Sequence, residues 1–276
     1  MSKARVLFVS QEPTPFLPDS PLACISRQLP QGIHEKGKEI RIFMPRFGKI
    51  NERRHQLHEV IRLSGMNMVI NDSDHPLIIK VASIPTARIQ VYFIDNEEYF
   101  KRKALTHDDA GKPFADNDER AIFFVRGVLE TVKKLGWSPD IIHCHGWMTA
   151  LMPLYVKKFY NKDPHFSNSR VVFSPYNNAF DGTLSADLPK KLMMDGFSKN
   201  DVHLMEHPNH SNLIKMAVKY SDGVVHGGDD IDEDILSYIH SMERPILRYS
   251  NQDNCVTEVD QFFDSVLESK GILVEN

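Results

Sequence analysis

Ser138-Pro139-Asp140-Ile141-Ile142-His143-Cys144-His145-Gly146-Trp147-Met148-Thr149-Ala150-Leu151 reads as a buried strand that ends in a histidine and an aromatic residue just as a helix begins. A short apolar run, bounded by turn residues and followed at once by helical periodicity, is how a parallel strand of an α/β sheet is written. Open sheets of this kind hold ligands beyond the carboxyl ends of their strands, where loop residues face a crevice on a rigid support. His145 and Trp147 stand at such an edge.

Working outward, the same alternation recurs. Val6-Leu7-Phe8-Val9 is a continuous apolar run bounded by the proline-rich stretch Pro13 to Pro21. Leu22 to Glu35 carries apolar residues at helical spacing and stops at Gly37, and Glu39 to Pro45 reads as a second strand. A strand-helix-strand opening implies a right-handed crossover and a parallel sheet. Three stretches, around Val60 to Met68, Leu77 to Ile84 and Ile89 to Ile94, predict a β insertion beside the main sheet, with a turn at Asn71-Asp72-Ser73-Asp74. Asp118 to Leu135 predicts an amphipathic helix ended by Gly136. A helix around Thr149 to Phe159, a strand at Arg170 to Ser174, a helix around Asn212 to Tyr220 and a short strand Gly223 to His226 follow. The fold class expected is α/β, a doubly wound Rossmann-like parallel sheet with a β insertion. The domain expected covers residues 1–276, with a C-terminal helix at about 256–268 that docks through Val259, Phe262, Phe263, Val266 and Leu267.

Size and composition narrow the function classes. The 276 residues, 41% hydrophobic and 25% charged, suffice for a large core without disulfides or metal. A formal net charge of −4, with basic and acidic residues interspersed, excludes a nucleic-acid footprint. Three widely spaced cysteines, Cys24, Cys144 and Cys255, fit reduced thiols and a cytoplasmic location. Val6 to Val9 is too short for a signal-peptide core or a membrane span, so no membrane partner is expected.

The residues name no catalytic group, no cofactor site and no metal site. His143 and His145 fall on one side of their strand, but a His-x-His pair needs further ligands that the sequence does not supply. His203-Leu204-Met205-Glu206-His207-Pro208-Asn209-His210 is broken by its proline and reads as a polar loop. Gln11 to Pro21 contains no glycine and several prolines, which makes it a poor cradle for phosphate. Gly227-Gly228-Asp229-Asp230 follows a strand, yet its acidic residues also disfavour phosphate.

Several segments together resemble the glycogen and starch synthases, glycosyltransferases that move glucose from ADP-glucose onto α-1,4-glucan. Val6 to Pro30 looks like the family's first strand, Ser-Glu-x-x-Pro-Phe loop and following helix. Met44-Pro45-Arg46-Phe47-Gly48 resembles its Leu-Pro-Arg-Tyr-Gly turn. Val91 to Asn96 with Tyr99-Phe100, Asn117-Asp118-Glu119-Arg120-Ala121, and Leu135 to Leu151 continue the likeness, which covers about residues 4–240. It implies the single N-terminal half of a GT-B glycosyltransferase, in which two Rossmann-like domains face each other across a cleft.

The functional positions depart from the family's pattern. Its Lys-x-Gly-Gly-Leu loop aligns with Pro18-Asp19-Ser20-Pro21-Leu22, without the lysine or either glycine. Of its His-Asp-Trp-His motif, His145 and Trp147 remain, while Gly146 and Met148 replace the other two. Thr-Ile-His-Asn appears as Ser174-Pro175-Tyr176-Asn177, and Asn212 and Lys215 match its Asn-x-x-Lys helix. The resemblance therefore implies a substrate cleft around His145, Trp147, Asn177, Asn212 and Lys215, with His145 either facing that cleft or capping the strand end from within. The partners it implies are ADP-glucose or α-glucan, and a separate subunit carrying the C-terminal domain or a second copy of the chain. With the clamp cation, the backbone donors and the second domain all absent from the sequence, the chain is expected to be inactive alone. A non-catalytic glucan- or protein-binding descendant is the alternative.

Overall fold

β1 (Arg5–Ser10) is buried from Val6 onward, which places it at the centre of its sheet. In the computed structural model, which describes residues 3–84, 89–248 and 255–269, β1 pairs in parallel with β2 (Glu39–Pro45) on one side. On its other side lies β7 (Ile141–His145), again parallel. The strands between these in sequence are β3 (His58–Glu59), β4 (Met66–Ile70), β5 (Ser73–Ile84) and β6 (Ile89–Asp95). β8 (Arg170–Ser174), β9 (Gly223–Val225) and β10 (Ile246–Leu247) extend the sheet beyond β7, giving the order β10-β9-β8-β7-β1-β2-β6-β5-β3.

The chain first winds outward from β1 through β2 to β6, then returns to β7 on the opposite side of β1. The point of reversal lies between β1 and β7, and this is where an open α/β sheet forms its crevice. The register there sets Ser10 opposite His145, and His145 opposite Ser174.

The predicted β insertion is smaller than its three stretches suggested. β6 is a parallel strand of the main sheet, because Ile42 to Pro45 pair with Val91 to Ile94. Antiparallel pairing is confined to β5, which runs against β3, β4 and β6. Residues 60–65 form a turn rather than a strand, and the β4–β5 hairpin closes through Asn71 and Asp72 at φ of 50° and 59°. Two successive left-handed residues give the tight turn that matches strand twist, and Asn and Asp adopt it at low cost.

Helices cover both faces. α1 (Pro21–Glu35) is capped by Ser20, whose Oγ accepts from the Ala23 N–H, and it packs beside α8 (Cys255–Glu268). Val259, Phe262, Phe263 and Val266 of α8 are buried, with Phe263 set against both Phe8 and His143. After the short α2 (Glu97–Phe100), α3 (Asn117–Lys134) ends at Gly136 in the left-handed conformation. The segment expected as one helix at 149–159 is instead a 3-10 turn (Trp147–Thr149), a single turn α4 (Met152–Leu154) and a π-turn (Tyr155–Phe159). Pro153, without an N–H, fits the start of α4 but not the interior of a longer helix. α5 (Leu188–Met194), α6 (His210–Lys219) and α7 (Glu233–Ser241) complete the chain, and α6 packs on α4.

Candidate functional site

The reversal between β1 and β7 opens into a cavity of about 360 Å³. Four elements build it. Glu12 follows β1, Ser20 to Leu22 begin α1, Tyr176 to Asn178 follow β8, and Gly227 to Asp230 follow β9. A second cavity of about 290 Å³ shares Tyr176 and Asn177 and reaches the start of α6 at Asn209 to Ser211.

The first cavity is acidic. Glu12, Asp229 and Asp230 line it and, among the described residues, no lysine, arginine or histidine does. Burial pushes the Glu12 carboxyl above the ordinary carboxylate value, against hydrogen bonds from Gln11 and Ser20 that pull it down. Gln11 Nε2 donates to Glu12 Oε1 at 3.0 Å, and Asn177 Nδ2 donates to Asp230 Oδ2 at 3.1 Å. The α1 N-terminus adds little for an anion, since Pro21 has no N–H and the Ala23 N–H is taken by Ser20 Oγ at 2.9 Å.

His145 lies beneath this cavity, not in it. Its ring is 1% exposed, and Nδ1 stands 2.8 Å from the Tyr176 hydroxyl. His143 is wholly buried beside it, with ring centroids 4.0 Å apart, and its Nε2 stands 2.8 Å from Ser174 Oγ. Burial lowers both imidazoles, His145 to about 3, so the pair is neutral at physiological pH. Both rings face Phe8, which makes them part of the packing between the sheet and α8.

Gly146 turns the chain from β7 toward Trp147 with φ 77° and ψ 173°, a region reserved for glycine. A Cβ there would meet Asn178 Nδ2 at 3.0 Å and Leu22 Cδ2 at 3.2 Å. Trp147 is 3% exposed and packs edge-on against Phe180, which lines the second cavity and in turn meets His210.

Of the five cleft residues expected from the sequence, Asn177 lines both cavities, while His145 and Trp147 support them from within the core. Asn212 and Lys215 line neither. Asn212 secures the loop before α6, its Nδ2 donating to His207 O at 2.8 Å, and Lys215 pairs with Asp234 at 2.6 Å. Gln11, Glu12, Tyr176 and Asn178 were not singled out as site residues. Gln11 and Glu12 directly follow β1, and Tyr176 and Asn178 lie in the loop after β8, the neighbour of β7; a position just beyond the carboxyl end of a central strand is the signal that could have found them. Among the described residues, no three His, Cys, Asp or Glu side chains stand together as a metal site, and no helix is long and apolar enough to cross a membrane.

The profile of the starch synthase catalytic domain matches residues 5–244. Over 235 residues the chain is 39% identical to a glycogen synthase of Chlorobium limicola, covering 82% of this chain and 48% of that protein. A glycogen synthase of Chlorobaculum tepidum is 38% identical over 235 residues, covering 82% and 46%. The chain thus spans about half the length of these relatives. Among solved structures, the catalytic domain of starch synthase IV from Arabidopsis thaliana, bound to ADP and acarbose, superposes with a TM-score of 0.73 at 20% identity, over 92% of this chain and 53% of that one.

Proposed function

Because the chain belongs to the starch synthase catalytic-domain family, with the Rossmann-like α/β fold of one half of a GT-B glycosyltransferase, we propose that it serves α-glucan metabolism as a glycogen-synthase-like domain that engages glucan and, by itself, transfers no glucose from ADP-glucose. The observation that carries this reading is the charge of the crevice at the sheet's reversal. Three carboxylates line it and, among the described residues, no cation does, whereas stabilising the departing diphosphate of a nucleotide sugar calls for fixed positive charge or convergent N–H donors. The three cysteines are unpaired, which suits a cytoplasmic setting.

The test is incorporation of labelled glucose from ADP-glucose into glycogen by the purified chain. The expected result is none above the protein-free control; measurable incorporation by the chain alone would overturn the reading. Activity that appears only when a separately supplied glycogen-synthase C-terminal domain is added would place the chain as one subunit of a two-part synthase.

A further inference from the structure

We propose that this chain pairs with a second copy of itself across the edge of the sheet where the crevice opens, each copy laying its basic loop after β2 on the other's acidic loop after β9. The inference goes beyond the glucan reading and does not depend on it.

Two charged lobes carry the argument. The loop after β2, Arg46 to His55, holds four cations and one carboxylate. Gly48 sets it against Lys101-Arg102-Lys103, since a Cβ there would run into the carbonyl oxygens of Lys101 and Arg102. Arg46 is held by Glu52 and Asp95, Lys101 by Glu97 and Arg102 by Asp116. Lys49, Arg53, Arg54 and Lys103 are exposed and, among the described residues, make no ion pair. The loop from β9 into α7 is the opposite, with five carboxylates in the six positions Asp229 to Asp234. Asp234 is held by Lys215, while Asp229, Asp230, Asp232 and Glu233 are exposed.

Their placement makes the face self-complementary. β2, β1, β7, β8 and β9 stand side by side in that order and run parallel, so both loops leave the same edge of the sheet. β7 is the middle strand of the five, with a lobe two strands, about 10 Å, to either side. A two-fold axis over the end of β7 therefore brings each copy's basic lobe to the other's acidic lobe. Two chains of net charge −4 repel in most orientations, and this one sets opposite charges against each other, which fixes the register and speeds encounter.

Single exposed ion pairs contribute only about 0–1 kcal/mol each, so the pairing also needs an apolar centre. The loop after β1, in the middle of the face, supplies it. Pro15, Pro18 and Pro21 are exposed there, and prolines bring no N–H to be stripped of water and little conformational freedom to lose. The second copy also completes the cavity. Asp229 and Asp230 line it, so Arg53 and Arg54 of the other copy arrive at a crevice whose own lining, among the described residues, holds no cation.

Sedimentation velocity of the purified chain at low and at high sodium chloride tests the inference. A dimer is expected at low salt, and its dissociation constant should rise at least tenfold at high salt, because screening weakens exposed pairs. Arg53→Glu with Arg54→Glu should weaken it at least tenfold, and so should Asp229→Lys with Glu233→Lys. Mixing the two variants should restore the dimer, since each reversed lobe again meets its opposite. All four side chains are exposed, and circular dichroism verifies that both variants are folded. A chain that stays monomeric at low salt would overturn the inference, as would a dimer that neither pair of substitutions weakens, or a mixture no tighter than its components. A monomer that instead binds a separately supplied glycogen-synthase C-terminal domain, and loses it with the same substitutions, would give the face to that domain and overturn the second copy. None of these readouts involves glucose transfer or glucan, so the loss of the dimer leaves the glucan reading standing.

Discussion

His145 Nδ1 lies 2.8 Å from the hydroxyl of Tyr176, so a residue at the end of β7 inside the core fixes one that lines two cavities. The contact joins the register of the sheet to the shape of the site. From the other side, Gly227 leaves room for the tyrosine ring, since a Cβ there would run into the ring itself as well as the Pro175 carbonyl oxygen. Tyr176 is thus held from below by an imidazole and from beside by a glycine.

His145→Ala is therefore expected to act on stability first. Removing a fully buried ring creates a cavity beside Phe8 and deletes a hydrogen bond, a combination worth about 2–4 kcal/mol. A urea unfolding curve checks it. An unchanged midpoint would show that the imidazole is not part of the packing.

The sheet was readable because β1 and β8 carry continuous apolar runs and β7 opens on Ile141-Ile142 after a proline turn, the pattern of strands buried on both faces. The site was less readable, for a physical reason. Strand alternation sends His143 and His145 to one side, but the sequence does not state that α8 covers that side through Phe263, 118 residues after His145. The position of β6 was hidden in the same way, because a strand that joins the main sheet and one that joins an insertion have the same composition. Asn212 and Lys215 show the limit of a motif, since both keep the family's spacing while their side chains serve a loop and a neighbouring helix.

Gly146→Ala tests the β7 turn. Its φ of 77° with ψ of 173° is nearly closed to a residue with a Cβ, and Asn178 and Leu22 crowd the same space. The substitution should cost about 1–3 kcal/mol, and Gly146→Asp, which restores the family's residue, should cost more. Thermal unfolding of the two variants gives the comparison. An aspartate variant as stable as the original would mean that the turn relaxes without displacing Asn178.

Lys191 and Asp118 form a pair inside the molecule, 2.6 Å apart, at 8% and 0% exposure. Lys191 also reaches Glu119 at 2.7 Å. Lys191→Met should cost about 3–5 kcal/mol, because it leaves a buried carboxylate without its cation. Combining it with Asp118→Leu should recover much of that loss. If the double variant is as unstable as the single one, the penalty lies in packing and not in the stranded charge.

The buried histidines set the direction of the pH dependence. His145 is held at about 3, His210 at about 4 and His143 well below its ordinary value of 6.5, in each case chiefly by burial. Above pH 6.5 both the folded and unfolded chains carry these rings neutral, and they contribute no slope. Below it the unfolded chain takes up protons that the folded chain refuses, so stability falls as the pH drops toward 4. Each ring removes about 1.4 kcal/mol by one unit below 6.5. Glu12, Asp118 and Asp195 act with the opposite sign, since their raised values give stability that is present at low pH and lost as the pH rises through them, while the lowered His55 and His226 act in the same sense as the three rings. Urea midpoints at pH 7 and pH 5.5 should differ by the loss of several kcal/mol, and His210→Gln should reduce that difference by about one ring's share. Equal midpoints at the two pH values would mean that the folded protein protonates these imidazoles, which the complete enclosure of His143 and His145 opposes.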